Sequence, residues 1–134
     1  MKKNNILIIG SGISGVGAAK LARHLNHNVR VTSQGSISQF NKKLFYDIGV
    51  EFEEHQHSIS NIEWTDFIIK SPGVAPDIPF LKQSKTEGIP IISEIEFAFR
   101  HTDAHIIAVT GTNGKTTTCH LLWHMLNNAG LNAG

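Results

Sequence analysis

The chain has 134 residues, with 12 Lys and Arg against 11 Asp and Glu, a net charge of +1 and 17% charged residues, so it lacks the basic stripe that nucleic-acid binding requires. It contains no run of 18 apolar residues, and Met1-Lys2-Lys3 leads into only a four-residue apolar stretch, so neither a membrane span nor a signal peptide is expected and the cytoplasm is the expected location. The single Cys119 cannot form an internal disulfide and suits a reducing compartment.

The first element is a strand over residues 5 to 9, and it runs directly into Gly10-Ser11-Gly12-Ile13-Ser14-Gly15. Ala18, Ala19, Leu21, Ala22 and Leu25 then recur at helical spacing, predicting a helix over 13 to 26. In this strand, turn and helix, Gly10 makes the turn, Gly12 lets a pyrophosphate reach the backbone, and Gly15 lets the helix pack on the strand. A nicotinamide site would place an acid about 20 residues further on, after the second strand. That strand, residues 28 to 32, ends instead in Ser33-Gln34-Gly35, and Arg30 lies within it, not after it. A pyrophosphate role for the first loop therefore stands without the nicotinamide signature.

Further strands are predicted over 50 to 53, 66 to 69, 89 to 92 and 106 to 110. Helices are predicted over about 38 to 48, 78 to 87, 94 to 100 and 115 to 129, with Asn61 to Thr65 and Ser71 to Asp77 as loops. Short strands alternating with helices predict an α/β fold, a Rossmann-like parallel sheet with flanking helices. The loop Ser71-Pro72-Gly73 follows a strand, where ligands of open α/β sheets collect, and Gly73 leaves its backbone approachable. His55 and His57 lie in a polar stretch and read as solvated. His120 and His124 are spaced i, i+4 but lack the glutamate of a zincin motif, so a helix face is the better reading.

The last feature is Gly111-Thr112-Asn113-Gly114-Lys115-Thr116-Thr117, between the apolar run 106 to 109 and a helix. A glycine turn, a helix N-terminus and a lysine can hold nucleotide phosphates, and a hydroxyl beside the lysine can ligate Mg²⁺. Lys115 is the candidate phosphate cation and Thr116 the candidate Mg²⁺ ligand, both catalytic, with ATP and Mg²⁺ as cofactors. Position 109 is Val109, so the loop is shorter than the usual phosphate-binding pattern. Only 24 residues remain from its first glycine onward, which leads to the expectation that the chain is the front of a longer protein: residues 1 to 102 a Rossmann-like domain, and 103 to 134 the first strand, P-loop and helix of an ATPase domain.

Taken together, the first loop, the stretch Lys70 to Arg100 containing Ser71-Pro72-Gly73 and Ser93-Glu94-Ile95-Glu96, and Ile106 to Thr118 resemble the amino-terminal part of the Mur ligases. The likeness spans essentially all of the chain and is closest to the members that join D-glutamate to UDP-N-acetylmuramoyl-L-alanine in peptidoglycan-precursor synthesis. It implies an ATP-dependent amide-forming ligase acting through an acyl phosphate, monomeric at full length, with this part able to bind but not to catalyse. By the same resemblance the first loop, Ser11, Gly12, Ile13, Ser14 and Gly15, holds the diphosphate of the UDP-sugar, and Ser33, Gln34 and Gly73 lie at the nucleoside. The family commonly carries an acidic residue, a hydroxyl and an arginine after the second strand, where this chain has Ser33-Gln34-Gly35. The alternatives are a ligase of the L-alanine-adding type, an NAD(P)-binding module, and a non-catalytic nucleotide sensor.

Overall fold

A computed structural model describes residues 3–134, which divide into two compact units, up to Thr102 and from Asp103 to Gly134. In the first unit, β1 (Asn5–Ile9), β2 (Asn28–Ser33), β3 (Glu51–Glu54), β4 (Phe67–Lys70) and β5 (Ile91–Ser93) form one parallel sheet in the order β3-β2-β1-β4-β5. The crossovers carry α1 (Ile13–His24), α2 (Gln39–Asp47), α3 (Ser60–Trp64) and α4 (Pro79–Thr86), and α5 (Glu94–Phe99) follows β5.

The alternation of side chains along β1 explains why helices cover both faces. Ile6 and Ile8 point to one side, where they join Val29, Val31 and Ile69 under Ala18, Ala19 and Ala22 of α1, Phe45 of α2 and Phe97 of α5. Leu7 and Ile9 point to the other side and meet Ile68, Ile62 of α3, and Phe80 and Leu81 of α4. A strand segment buried on both faces must be apolar, as Ile6 to Ile9 of β1 are. The alanines of α1 let that helix sit close over the central strand, and the architecture is a doubly wound α/β sheet.

Three of the helices stop by one device. Asn26, Gly49 and Gly88 take positive φ of 63°, 66° and 75°. The next amide then reaches back to the last turn, from His27 to Ala22, Val50 to Phe45 and Ile89 to Ser84, at 2.8 to 3.0 Å. These are Schellman closures, and each delivers the chain to the start of the following strand. Ser38 and Ser93 cap the N-termini of α2 and α5, accepting from the amides of Asn41 and Glu96.

Two sequence expectations are corrected. Ser60–Trp64 is a short helix and not part of a loop; only Asn61 and Ile62 of its residues are buried, too few to leave a helical period in the sequence. In the second unit, Ile106 to Thr110 is not a strand: it pairs with no other segment among the described residues, and a strand exists only through such pairing. The second unit contains α6 (Lys115–Asn128), which has no buried residue, and Ile106, Ile107, Leu122 and Leu126 flank an apolar hollow of about 440 Å³. Among the described residues, no helix is long and apolar enough to cross a membrane.

His27 is buried at the start of β2, and its Nδ1 accepts a hydrogen bond from the Asn4 amide at 3.2 Å. Burial, then the charge of His101, holds its pKa below the ordinary 6.5. A base depressed in the folded state is protonated first in the unfolded chain, so its contribution is intact above about pH 6.5 and is lost as pH falls through the folded value. The melting temperature of the chain is therefore expected to decline between about pH 7 and about pH 5, and to decline less steeply in His27→Asn, whose amide oxygen keeps the bond to Asn4 without titrating. A pH series of thermal melts checks this, and equal slopes would remove His27 from the account.

Candidate functional site

The strand order reverses at β1, whose neighbours β2 and β4 lead to crossovers on opposite faces, and a crevice therefore opens at the carboxyl ends of these strands. The loop after β1 begins at Gly10, whose amide donates to Thr32 O at 2.9 Å and whose φ is +105°. A Cβ at Gly10 would lie 2.8 Å from Ser71 Oγ, and a Cβ at Gly15 would lie 1.9 Å from Gly10 O. These glycines let the loop, the first turn of α1 and the β4 loop occupy one small volume. A Cβ at Gly12 would meet nothing within 4 Å. Gly12 is the N-cap of α1 and offers no side-chain cap, so the amides of Ile13, Ser14 and Gly15 have no side-chain partner.

The neighbouring loops are tied down from outside the crevice. Asn41 Nδ2 donates to Ser11 O at 2.8 Å, and Ser11 Oγ donates to Ser33 Oγ at 3.3 Å. After β4, the Lys70 ammonium donates to Ser71 O at 3.0 Å and to Val74 O at 2.8 Å, closing the Ser71-Pro72-Gly73-Val74 turn around itself. Ser71 is 8% exposed, and its Oγ is the one buried side-chain polar atom without a hydrogen-bond partner among the described residues. Leaving such an oxygen unpaired costs about 1–3 kcal/mol.

Two adjoining cavities result. One of about 360 Å³ is lined by Gly12, Ile13, Ser14, Ser71 and Gly73, with Ile13 95% exposed at its mouth. The other, of about 620 Å³, is lined by Ser33, Gln34, Gly35, His57, Gly73 and Phe80, and both share Gly10 and Val74. Ser33, Gln34 and Gly73 thus come together with Gly12, Ile13 and Ser14, while Ser11 and Gly15 shape the loop from behind. Arg30 is committed elsewhere: it pairs with Glu51 at 2.7 Å and stacks 4.2 Å over Trp64.

His57, read from the sequence as solvated, is instead half buried on the larger cavity and bonded through Nδ1 to buried Thr32 at 2.8 Å. Burial lowers its pKa, against the opposing charge of Glu53. Burial of Glu53 acts to raise its pKa, but hydrogen bonds from Ser58 and Thr32 outweigh this and hold the carboxyl below the ordinary range. Thr32 and His57 lie 25 positions apart, so no local pattern announces the pair. Asn41 was likewise missed, because its bond to Ser11 depends on loops brought together by the sheet, whereas the Lys70 bonds to Ser71 and Val74 lie within one loop and carried no motif.

In the second unit, Gly111 and Gly114 have φ of +147° and +76°, and Gly114 is the N-cap of α6, again without a side-chain cap. Lys115 folds back so that its ammonium donates to Gly111 O. Thr112, Asn113, Thr116 and Thr117 are exposed around it. Free helix amides, a lysine and a hydroxyl form the donor set that a nucleotide phosphate and Mg²⁺ would take.

Residues 4–93 match the family described as Mur ligase MurD-like, N-terminal domain. The chain belongs to this family of ligases. It is 43% identical over 129 residues to UDP-N-acetylmuramoylalanine–D-glutamate ligase of Bacteroides fragilis and 42% identical over 132 residues to that of Porphyromonas gingivalis. These alignments cover 96% and 98% of the chain but 29% of each relative, so the chain spans under a third of the length of the curated relatives it matches. Among solved structures it resembles a murein peptide ligase of Psychrobacter arcticus, with TM-score 0.70 and 27% identity over 95% of this chain and 27% of that one. It also resembles a pseudomurein peptide ligase type C of Methanothermus fervidus, with TM-score 0.63 and 25% identity over 96% of this chain and 27% of that one.

For a MurD-like domain the first loop has one position closed to side chains and one open to them. Gly15→Ala is expected to lose about 1–3 kcal/mol, because displacing α1 from the Gly10 carbonyl outweighs the roughly 1 kcal/mol of helix propensity that alanine gains. Gly12→Ala is expected to lose less than about 1 kcal/mol, the preference of an N-cap for glycine over alanine. Denaturant unfolding of both variants measures the difference, and equal stabilities would show that α1 can move off β1 freely.

Proposed function

We propose that the chain is the amino-terminal part of an ATP-dependent ligase that adds D-glutamate to UDP-N-acetylmuramoyl-L-alanine, with the UDP-sugar held by the first unit. Two curated relatives above 40% identity carry the name of that activity. The single observation carrying the UDP-sugar assignment is the uncapped start of α1 at Gly12, Ile13 and Ser14, which lines the smaller cavity. Backbone amides at a helix N-terminus suit a diphosphate. In this reading Ile13, Ser14 and Gly15 donate their amides to the phosphate oxygens, while Ser33, Gln34 and Gly73 line the nucleoside end. The absence of an acid after β2 is then no defect, since the ligand is not a nicotinamide dinucleotide.

The second unit takes the phosphates of ATP. When bound, ATP with Mg²⁺ would supply the phosphoryl group that activates the substrate carboxylate as an acyl phosphate with release of ADP, and the amine of D-glutamate would then displace phosphate to form the amide. Lys115 would turn from the Gly111 carbonyl to the phosphates, the amides of Gly111 to Thr117 would hold their oxygens, and Thr116 would ligate the metal. Such groups act by position and charge, as phosphoryl transfer requires.

The test is calorimetric titration of the chain with UDP and with NADH, on wild type and on Gly12→Asp. UDP is expected to bind wild type, and the variant is expected to lose at least about tenfold in affinity because its carboxylate faces the phosphates. Gly12 has extended backbone (φ −75°, ψ −168°) at an N-cap, where Asp is favoured, so the variant should melt no lower than wild type. Binding of NADH without UDP would overturn the reading.

A further inference from the structure

The polar network behind the larger cavity is directional. Thr32 is fully buried, and its Oγ1 lies 2.8 Å from Glu53 Oε1, 2.7 Å from Gln56 O and 2.8 Å from His57 Nδ1. The ionised carboxylate and the carbonyl can only accept, and the hydroxyl has one proton to give them. A bare Nδ1 would be a third acceptor around that proton, so Nδ1 must carry its own hydrogen and donate to Oγ1. This fixes neutral His57 as the Nδ1–H tautomer and leaves Nε2 with a free lone pair. Nε2 has no hydrogen-bond partner among the described residues, and the ring lies beside Phe80, centroids 5.6 Å apart, with both rings lining the cavity.

Glu53 is itself held firmly, accepting from the Ser58 amide at 2.8 Å, Ser58 Oγ at 2.6 Å and Asn61 Nδ2 at 2.8 Å. The loop after β2 offers no charged acceptor: Ser33 Oγ accepts from Ser11, and Gln34 is a neutral amide exposed at the same cavity.

We infer that His57 is a specificity-determining residue of the nucleoside cavity, its Nε2 accepting a hydrogen bond from a donor of the nucleoside, either a ribose hydroxyl or the imide N–H of the base. Thr32 and Glu53 are positioning residues that set its tautomer and aim. The inference rests on the reading of this cavity as the UDP-sugar site. It gives the ligand the acceptor that dinucleotide-binding folds supply with an acid after the second strand, from the loop after β3 instead. Burial keeps the ring neutral, and so an acceptor, at neutral pH.

Two substitutions separate the atoms of the ring. His57→Asn retains an N–H near the Nδ1 position for Thr32 but has nothing at Nε2, whereas His57→Gln places an amide oxygen near Nε2. Titration of the chain with UDP is expected to show roughly tenfold weaker binding in His57→Asn and most of the affinity restored in His57→Gln, a rescue that a purely structural role would not produce. Wild type is also expected to discriminate against 2′-deoxy-UDP or N3-methyl-UDP, whichever lacks the donor that meets Nε2, and His57→Asn is expected to lose that discrimination. Wild-type binding of UDP with equal affinity in His57→Asn overturns the role of His57 alone. Failure of wild type to bind UDP overturns the site reading, and the inference falls with it.

Discussion

The first unit depends on one close approach. The Gly10 carbonyl at the end of β1 lies where a side chain at residue 15 would have to be, 1.9 Å from an ideal Cβ. Because Gly15 has none, α1 starts directly against the exit of the central strand. Its first amides then face the place where the strand order reverses. The alanines on the buried side of α1 extend the same closeness along the helix, and the β4 loop is drawn in until Ser71 touches Gly10. Helix position, loop shape and crevice thus follow from one missing side chain.

The two glycine loops solve a similar problem in unlike surroundings. The first leaves a strand buried on both faces and enters a helix whose N-cap is extended. The second leaves an unpaired apolar segment and enters a helix whose N-cap, Gly114, is left-handed. Loop conformation is local, set by glycine placement and the helix start, so it forms in both units. Strand pairing is not local. For the same reason Ile6 to Ile9 form a strand and Ile106 to Val109, equally apolar, do not.

Local chemistry was legible in the sequence and long-range geometry was not. The five strands of the sheet could be read because each is a short apolar or alternating run bounded by a turn, and α1, α2, α4, α5 and α6 because their periods and caps are local. The short α3 escaped because it buries only Asn61 and Ile62. At the candidate site, the tight turn at Gly10 and the close helix packing at Gly15 were legible from the glycine spacing alone. The orphaned Ser71 Oγ and the bond from His57 to Thr32 were not, since each needs two strand ends to be neighbours. Polar residues in a loop look solvated until the sheet shows what lies behind them, as His57 demonstrates.

The placement of Glu53 carries an electrostatic consequence. If the crevice receives a diphosphate as proposed, a free carboxylate within a few ångströms of the phosphates would be repelled where water is partly excluded. A ribose hydroxyl or an imide N–H nevertheless needs an acceptor. In this chain the negative charge lies one layer back, on Glu53, where four hydrogen bonds from Ser58, Asn61 and Thr32 absorb it. Thr32 and neutral His57 stand between it and the cavity, so a lone pair reaches the surface without the charge. Residue 32 therefore has to be a hydroxyl: valine would fill the same volume in the strand but would neither satisfy Glu53 nor accept from Nδ1. The threonine at this fully buried position thus serves the hydrogen bonds to Glu53 and His57, and not the packing of the core.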